Sequence, residues 1–577
     1  MAKRYLIFTL CLWTLFSVTS SLAENLTFNP VVTHLQKFIE TKPTALLHRG
    51  HSIKLHSPLA SKRFYRQRDY QPAWLDASQP SLPAYGLLVA VSEANRHGLR
   101  PTDYHYLELD KLLKQRYYRQ ITDFQEQAYL DLLLTDAWLT YASHLSSGRI
   151  DPKKVDDSWK IPNPYQYMGA LLQAALERGD SIETLHKLAP QQPDYQRLLK
   201  GLARYQALEA LGGWPPVSSG AMLEKGMHHP RVRELRARLR VTGDLTLIAT
   251  PLGAGNRTLM TASSTDDKET FFDDATFEAV KNFQTRHGLA DDGIVGPNTL
   301  AALNVPVSER RRQIEINLER WRWLPDDLGR RHVLVNIPDF TLSVMENGYP
   351  VIKTDVIIGQ PKRPTPVFAD EIDHLVFNPH WYVPRTIAIK DKLPELRKNA
   401  SAFSNQGMRI YDATGQIVDP NSVNWQDITA TNFNYHLRQD PGPYNALGRV
   451  KFMFPNRYQV YIHDTPSQTL FNYTQRTFSS GCIRVSNPMQ LAEYLLKDDE
   501  RWRGEDIFAT VSDGKQRRVA LPKKVPVYLV YFTASVDAKN TLYFQPDIYQ
   551  HDKKLAQVFD QPTYPLKTLA LRSNQGS

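Results

Sequence analysis

Cysteine is nearly missing from this 577-residue chain: Cys11 and Cys482 are its two. A disulfide framework is therefore excluded as the source of stability, and so is any Cys-rich metal cluster. No basic run tracks a phosphate backbone, because 70 Lys and Arg against 60 Asp and Glu leave a net charge of +10 spread over a long chain. After the N-terminal stretch no apolar run approaches the ~20 residues that span a bilayer. Glycine-rich phosphate loops, nucleotide fingerprints and metal-ligand spacings are missing too, so no cofactor and no metal are expected. Hydrophobic residues at 42 % and charged residues at 23 % describe a folded, water-facing protein, and the length suggests three or four domains.

The chain opens on the positive Met1-Ala2-Lys3-Arg4, continues with an apolar run from Tyr5 to Val18, and reaches the small residues Ser20-Ser21-Leu22-Ala23 before Glu24. That order reads as a secretory signal over residues 1–23. Its removal would take Cys11, Lys3 and Arg4, leaving a mature chain of charge +8 with Cys482 as its one thiol. An uncleaved anchor is the alternative. In an oxidising compartment such a thiol is either an inert small hydrophobe or a nucleophile.

Residues 24–220 are rich in helix formers with helical apolar spacing, as in Tyr129 to Leu139 and Leu171 to Leu176. They predict an all-helical scaffold without chemistry, ended by the linker-like Gly212-Gly213-Trp214-Pro215-Pro216-Val217-Ser218-Ser219-Gly220. Three short helices follow in residues 221–305, starting near Pro230, Asp274 and Pro297. From Arg331 the periodicity becomes two. Val333, Val335 and Ile337 alternate, and Asn347-Gly348 joins Phe340–Glu346 to Tyr349–Ile358 as a hairpin. Strands are expected again at Val450–Phe454 and Tyr458–Ile462, with 390–439 inserted between as a lid. The fold class is multi-domain α+β: a helical N-terminal scaffold, a small three-helix bundle, and a β-rich domain over 306–577 with an inserted lid.

The chemistry concentrates in Tyr461-Ile462-His463 and Ser479-Ser480-Gly481-Cys482-Ile483-Arg484. Period two puts Tyr461 and His463 on one strand face, with Val460 and Ile462 turned to the core. His463 precedes Cys482 by 19 residues, enough for the chain to leave and return so that imidazole and thiol meet. An adjacent imidazole can take the thiol's proton, making Cys482 a nucleophile and His463 its general acid and base. The small Ser480-Gly481 lets a carbonyl approach, and main-chain N–H groups of Gly481 and Cys482, with Tyr461, are candidate oxyanion donors. Arg484 supplies a fixed charge, either for a substrate carboxylate or for holding the loop. Asn487 is placed to cap a helix begun by Pro488 and anchored by Leu491, Leu495 and Leu496.

In the three-helix region, Phe283-Gln284, Gly288-Leu289, Asp292-Gly293, Gly296-Pro297 and Thr299-Leu300 resemble the signature of peptidoglycan-binding modules. His463, Ser479, Gly481, Cys482, Arg484 and Asn487 resemble the motif of YkuD-type L,D-transpeptidases, as do the segments from Gly359 to Pro366, Phe377 to Pro384 and Leu447 to Asn456. The whole organisation is similar to the long YcbB-like periplasmic enzymes of Gram-negative bacteria. Ser480 stands where many members carry His.

That resemblance implies a peptidoglycan tetrapeptide donor, a Cys482 thioester, release of D-Ala and a diaminopimelate-to-diaminopimelate crosslink. It also implies acylation of Cys482 by carbapenems, and leaves room for other wall-synthesis proteins as partners. Water as acceptor would make an L,D-carboxypeptidase, and a lipoprotein lysine an anchoring enzyme. A non-catalytic wall-binding scaffold is the rival from another class. A papain-type peptidase fits less well, since here His precedes Cys.

Overall fold

The computed structural model describes residues 29–41, 44–48, 50–76, 79–117, 120–155, 159–161, 167–246 and 268–561. The signal expected over 1–23, and most of the polar segment that interrupts the three-helix region, lie outside them. Among the described residues no helix is long and apolar enough to cross a membrane.

The scaffold is built around helix α1 (Phe124–Ser147), whose N-cap Asp123 accepts the Gln125 N–H. Leu132, Leu133, Ala137 and Trp138 are fully buried, so this helix is enclosed rather than amphipathic. Two of its buried carboxylates are matched. Asp131 accepts from Tyr65 hydroxyl (2.6 Å) and the N–H groups of Ala73 and Trp74, while Asp136 accepts from His56 N–H and Ser57 N–H. The all-helical expectation needs one correction: two short hairpins, Ala45–His48 with His51–Lys54 and Leu75–Asp76 with Gln79–Pro80, complete this region. Runs of two to four residues are too short for periodicity to separate strand from helix.

Helix α2 (Pro193–Ala210) ends the scaffold, and the stretch after it is packed down rather than free. Trp214 donates to the Val305 carbonyl and lies under the Arg238 guanidinium at 3.9 Å, and Val217 is buried. Helices α3 (Pro230–Thr242), α4 (Asp274–Arg286) and α5 (Pro297–Leu303) form the expected bundle around Val232, Leu235, Leu239, Val280, Phe283 and Leu303. Asp273 caps α4 through the Thr276 N–H at 2.8 Å.

Helix α6 (Val307–Arg322) then joins this bundle to the β-domain and packs on α2. Its last turn holds a fully buried ion pair, Glu319 with Arg322 at 2.7 Å. Glu319 also accepts from Ile150 N–H, and Arg322 donates to the His97 carbonyl, so the pair ties α6 to the scaffold.

The sheet of the β-domain uses β1 (Arg331–Asn336), β2 (Thr341–Glu346), β3 (Tyr349–Gly359), β4 (Phe368–Phe377), β5 (Val450–Met453), β6 (Ile462–His463), β7 (Thr477–Ser479), β8 (Ile483–Val485) and β9 (Arg517–Val530). The order runs β7-β3-β8-β6-β5-β4-β9-β1-β2, and β2 pairs with β3 again. The ladder thus closes on itself: Thr341–Asp355 and its neighbours join β2 to β3, while Ile357 of β3 faces Arg484 of β8. Closure removes exposed edges. The Asn347-Gly348 turn has positive φ at both residues, 53° and 81°, as a tight hairpin of this kind requires.

The strand expected at Tyr458–Ile462 is reduced to Ile462–His463. Asn456 Oδ1 accepts the N–H groups of Tyr458 and Val460, and Gln459 sits at φ 55°, so the preceding residues are turned rather than extended.

The insertion is a small α/β unit of its own. A four-stranded sheet formed by Trp381–Tyr382, Met408–Tyr411, Ile417–Val418 and His436–Gln439 packs on Leu393, Leu396, Phe403, Trp425 and Phe433. Its first strand lies before the expected start at 390. A two-residue strand leaves no readable pattern.

Glu319→Ala removes the carboxylate that neutralises the buried Arg322 charge. The expected loss is about 3–5 kcal/mol of stability, read as a lowered midpoint in thermal or denaturant unfolding.

Candidate active site

Strand β8 lies between β3 and β6, antiparallel to the first and parallel to the second. The parallel register sets Ile462 beside Ile483 and His463 beside Arg484, and the Ile483 N–H donates to the Tyr461 carbonyl at 3.1 Å. Ile462 and Ile483 are both fully buried, so they fix which side of this strand pair belongs to the core. The alternate residues on the two chains, Tyr461 and His463 on one and Cys482 and Arg484 on the other, therefore share the opposite face. On the far side of β6, Lys451 of β5 pairs with His463 and joins the same face.

His463 is buried, and its Nδ1 lies 2.5 Å from the Asp464 carbonyl. A carbonyl only accepts, so Nδ1 carries the proton and Nε2 presents a lone pair. Burial first, and the Arg484 charge second, push the imidazole pKa down to about 3. Asp464 is held by the N–H groups of Arg449 (2.7 Å) and Thr465 (2.6 Å), which fixes the main chain that orients the ring.

Cys482 is partly covered, and its surroundings desolvate the sulfur. Burial pushes the thiol up to about 11, against the pull of the Tyr461 main chain, Arg484 and Lys451. Sulfur lies 3.9 Å from the Gln459 carbonyl, a weak contact. Burial thus favours the neutral form of both thiol and imidazole over an ion pair.

The loop before the nucleophile is clamped. Ser479 Oγ donates to the Cys482 carbonyl at 2.5 Å and accepts the Gly481 N–H at 3.0 Å, while Thr365 Oγ1 donates to the Gly481 carbonyl at 2.9 Å. The Gly481 N–H, expected to face an oxyanion, is instead engaged by Ser479. Gly481 has φ 117°, and an added Cβ would meet nothing closer than 3.7 Å, so its requirement is conformational rather than steric. Ser480 is exposed and accepts from Arg363 at 2.9 Å, and Arg363 also grips Asp391 of the insertion with both terminal nitrogens.

Tyr461 stands 5.6 Å from the His463 ring, centroid to centroid, and burial raises its pKa, so the hydroxyl keeps its proton. Arg484 is half-buried, with its Nε shielded from solvent. Asn487 occupies the N-cap of α7 (Pro488–Leu496), but its side chain makes no capping hydrogen bond; Leu491, Leu495 and Leu496 are buried as expected.

The structure puts Cys482, His463, Tyr461 and Arg484 on one sheet face, with Ser480 and Gly481 in the loop that leads to Cys482. Lys451, Asp464, Thr365, Arg363 and Gln459 were not singled out for roles. Lys451 was within reach, since Val450 and Phe452 point inward and period two turns it outward. Thr365 and Arg363 act through a loop closure that no local pattern encodes.

Fold and site place a cysteine and a histidine on the same face of a closed mixed sheet. Residues 330–502 match the L,D-transpeptidase catalytic domain, YkuD; residues 228–303 match a peptidoglycan-binding domain and residues 60–202 a scaffold domain. The chain carries a YkuD L,D-transpeptidase catalytic domain together with a peptidoglycan-binding domain. A Haemophilus influenzae protein named "Putative L,D-transpeptidase" is 33% identical over 244 residues, 42% of this chain and 49% of that protein. The match thus spans about half the length of that curated relative. Among solved structures, the L,D-transpeptidase of Xylanimonas cellulosilytica is 17% identical, with 55% of this chain and 100% of that one covered at a TM-score of 0.18. The L,D-transpeptidase from Mycobacterium smegmatis is 15% identical, with 35% and 58% covered at 0.17. Scores this low carry no argument.

Alkylation of Cys482 by iodoacetamide should reflect the raised thiol pKa, with a rate climbing about tenfold per pH unit from 7 towards 10 and an inflection near 11. An inflection near 7 would mean a preformed thiolate. His463 works in the other direction on stability. Its folded pKa lies below its unfolded value, so the unfolded imidazole binds the extra proton and folding weakens as pH falls from about 6.5 towards 3.

Proposed function

We propose that this chain is a peptidoglycan L,D-transpeptidase working through a Cys482 thioester. The observation that carries the reading is the shared face of Cys482 and His463, with the His463 tautomer set for a base at Nε2.

The donor is a stem tetrapeptide ending in diaminopimelate and D-Ala. As Sγ attacks the diaminopimelate carbonyl carbon, its proton passes to His463 Nε2. The carbonyl becomes an oxyanion, for which the Cys482 N–H and the Tyr461 hydroxyl are the donors. Collapse breaks the C–N bond, His463 returns the proton to the departing D-Ala amine, and the stem remains as a thioester. The side-chain amine of a second stem then attacks, His463 takes its proton, and thiolate leaves and is reprotonated. The product is a diaminopimelate-to-diaminopimelate amide.

The insertion, gripped at its base by Arg363 through Asp391, serves as the lid that keeps water from the thioester. The bundle over 221–305 holds the enzyme against its polymer, in the periplasm. Carbapenems fit the same site as acylating agents of Cys482. A lipoprotein lysine, or water, as acceptor uses the same first half-reaction.

Incubation of the mature chain with disaccharide-tetrapeptide, followed by mass spectrometry, tests this. The expected result is an adduct on Cys482 equal to the donor less D-Ala, free D-Ala, and a crosslinked dimer. Tripeptide without dimer would instead make the protein a carboxypeptidase. Cys482→Ala should abolish every product, and His463→Ala should lower the rate at least about a hundredfold. Unchanged substrate with an intact fold would leave only the wall-binding scaffold.

A further inference from the structure

Two cations share the face of the thiol, and among the described residues no carboxylate pairs with either. Lys451 lies on β5 opposite His463, with Nζ 5.4 Å from the Tyr461 ring centroid, and Arg484 lies two residues beyond Cys482 on the same face. Both are half-buried. Among the described residues neither side chain has a hydrogen-bond or ion-pair partner, although the protein pairs most of its other shielded arginines. The nearest carboxylate in sequence, Asp464, spends its oxygens on main-chain N–H groups. Withdrawing positive charge from water without a counter-ion is unfavourable, and an unmatched pair beside a nucleophile is what an anionic ligand would complete. Among the described residues, the negative charge that acts on both is that of the sulfur once ionised, and burial lowers both cations' pKa values against it.

We infer that Lys451 and Arg484 form a carboxylate subsite beside Cys482 that reads a free carboxylate next to the scissile bond of the donor. The inference rests on the transpeptidase reading for the identity of the donor. A tetrapeptide offers two such groups: the terminal carboxylate of the departing D-Ala and the side-chain carboxylate of diaminopimelate. Either suits a pair of cations on the same sheet face as the thiol, and an amide in the same place would lose the charge-assisted contacts.

Two alkylating probes test the subsite without a donor. Iodoacetate and iodoacetamide attack a thiolate by the same displacement and differ in carrying a carboxylate or an amide. For the full mature chain, the iodoacetate-to-iodoacetamide rate ratio at Cys482 should exceed that of N-acetylcysteine by about tenfold. Lys451→Met and Arg484→Met should each bring it towards the reference, and Lys451→Arg should restore it. Each variant is compared only if its thermal transition matches the parent's. A ratio equal to that of the free thiol, or one indifferent to both Met variants, overturns the subsite.

Donor turnover then identifies the carboxylate. Tetrapeptides amidated at the D-Ala terminus or at the diaminopimelate side chain are compared with the free acid. One amide should lower kcat/KM by about a hundredfold, and Lys451→Met should erase that discrimination by slowing the acid and sparing the amide. Equal turnover of all three donors overturns the inference while leaving transpeptidation intact. A raised probe ratio with no donor turned over keeps the subsite and removes the transpeptidase reading.

Discussion

The parallel pairing of two very short strands, Ile462–His463 and Ile483–Val485, is the constraint on which the site depends. Two isoleucines buried side by side decide which face of the pair is core, and every polar neighbour follows from that decision. A slip of one residue would send Cys482 and His463 inward and bring isoleucine to the cleft. So brief a ladder has few hydrogen bonds of its own. Its register is held from outside by β3 and β5 and by the cyclic sheet in which all four strands are locked.

The same economy governs the nucleophile loop. Ser479 and Thr365 occupy both hydrogen-bonding groups of Gly481 and the carbonyl of Cys482, so the thiol stands on a fixed segment. Arg363 extends the arrangement outward, since one guanidinium contacts Ser480 next to the nucleophile and Asp391 at the base of the insertion. At a larger scale the buried Glu319–Arg322 pair on α6 does similar work, fastening the β-domain to the scaffold.

Much of this was legible in the sequence. Long periodic segments declared the helices, Asn347-Gly348 announced its hairpin, and the spacing of His463 and Cys482 marked the chemistry. What escaped was short or non-local. The strand at Ile462 shrank because Asn456 turns the chain through its side chain, a tertiary detail invisible to a count of apolar positions. The Gly481 N–H was assigned to substrate when a serine two residues back had the nearer claim. The insertion looked like irregular polar sequence because its strands are two to four residues long, although Trp425 and Phe433 give it a core.

The resting protonation of Cys482 has a consequence beyond peptide chemistry. Peroxides and disulfides react with thiolates, and a thiol whose pKa stands near 11 offers almost none of that form at neutral pH. The Cys482 sulfur is thereby kept from its commonest chemical injuries. Desolvation, which lowers the reactivity of the thiol towards a substrate, lowers its reactivity towards oxidants by the same physics.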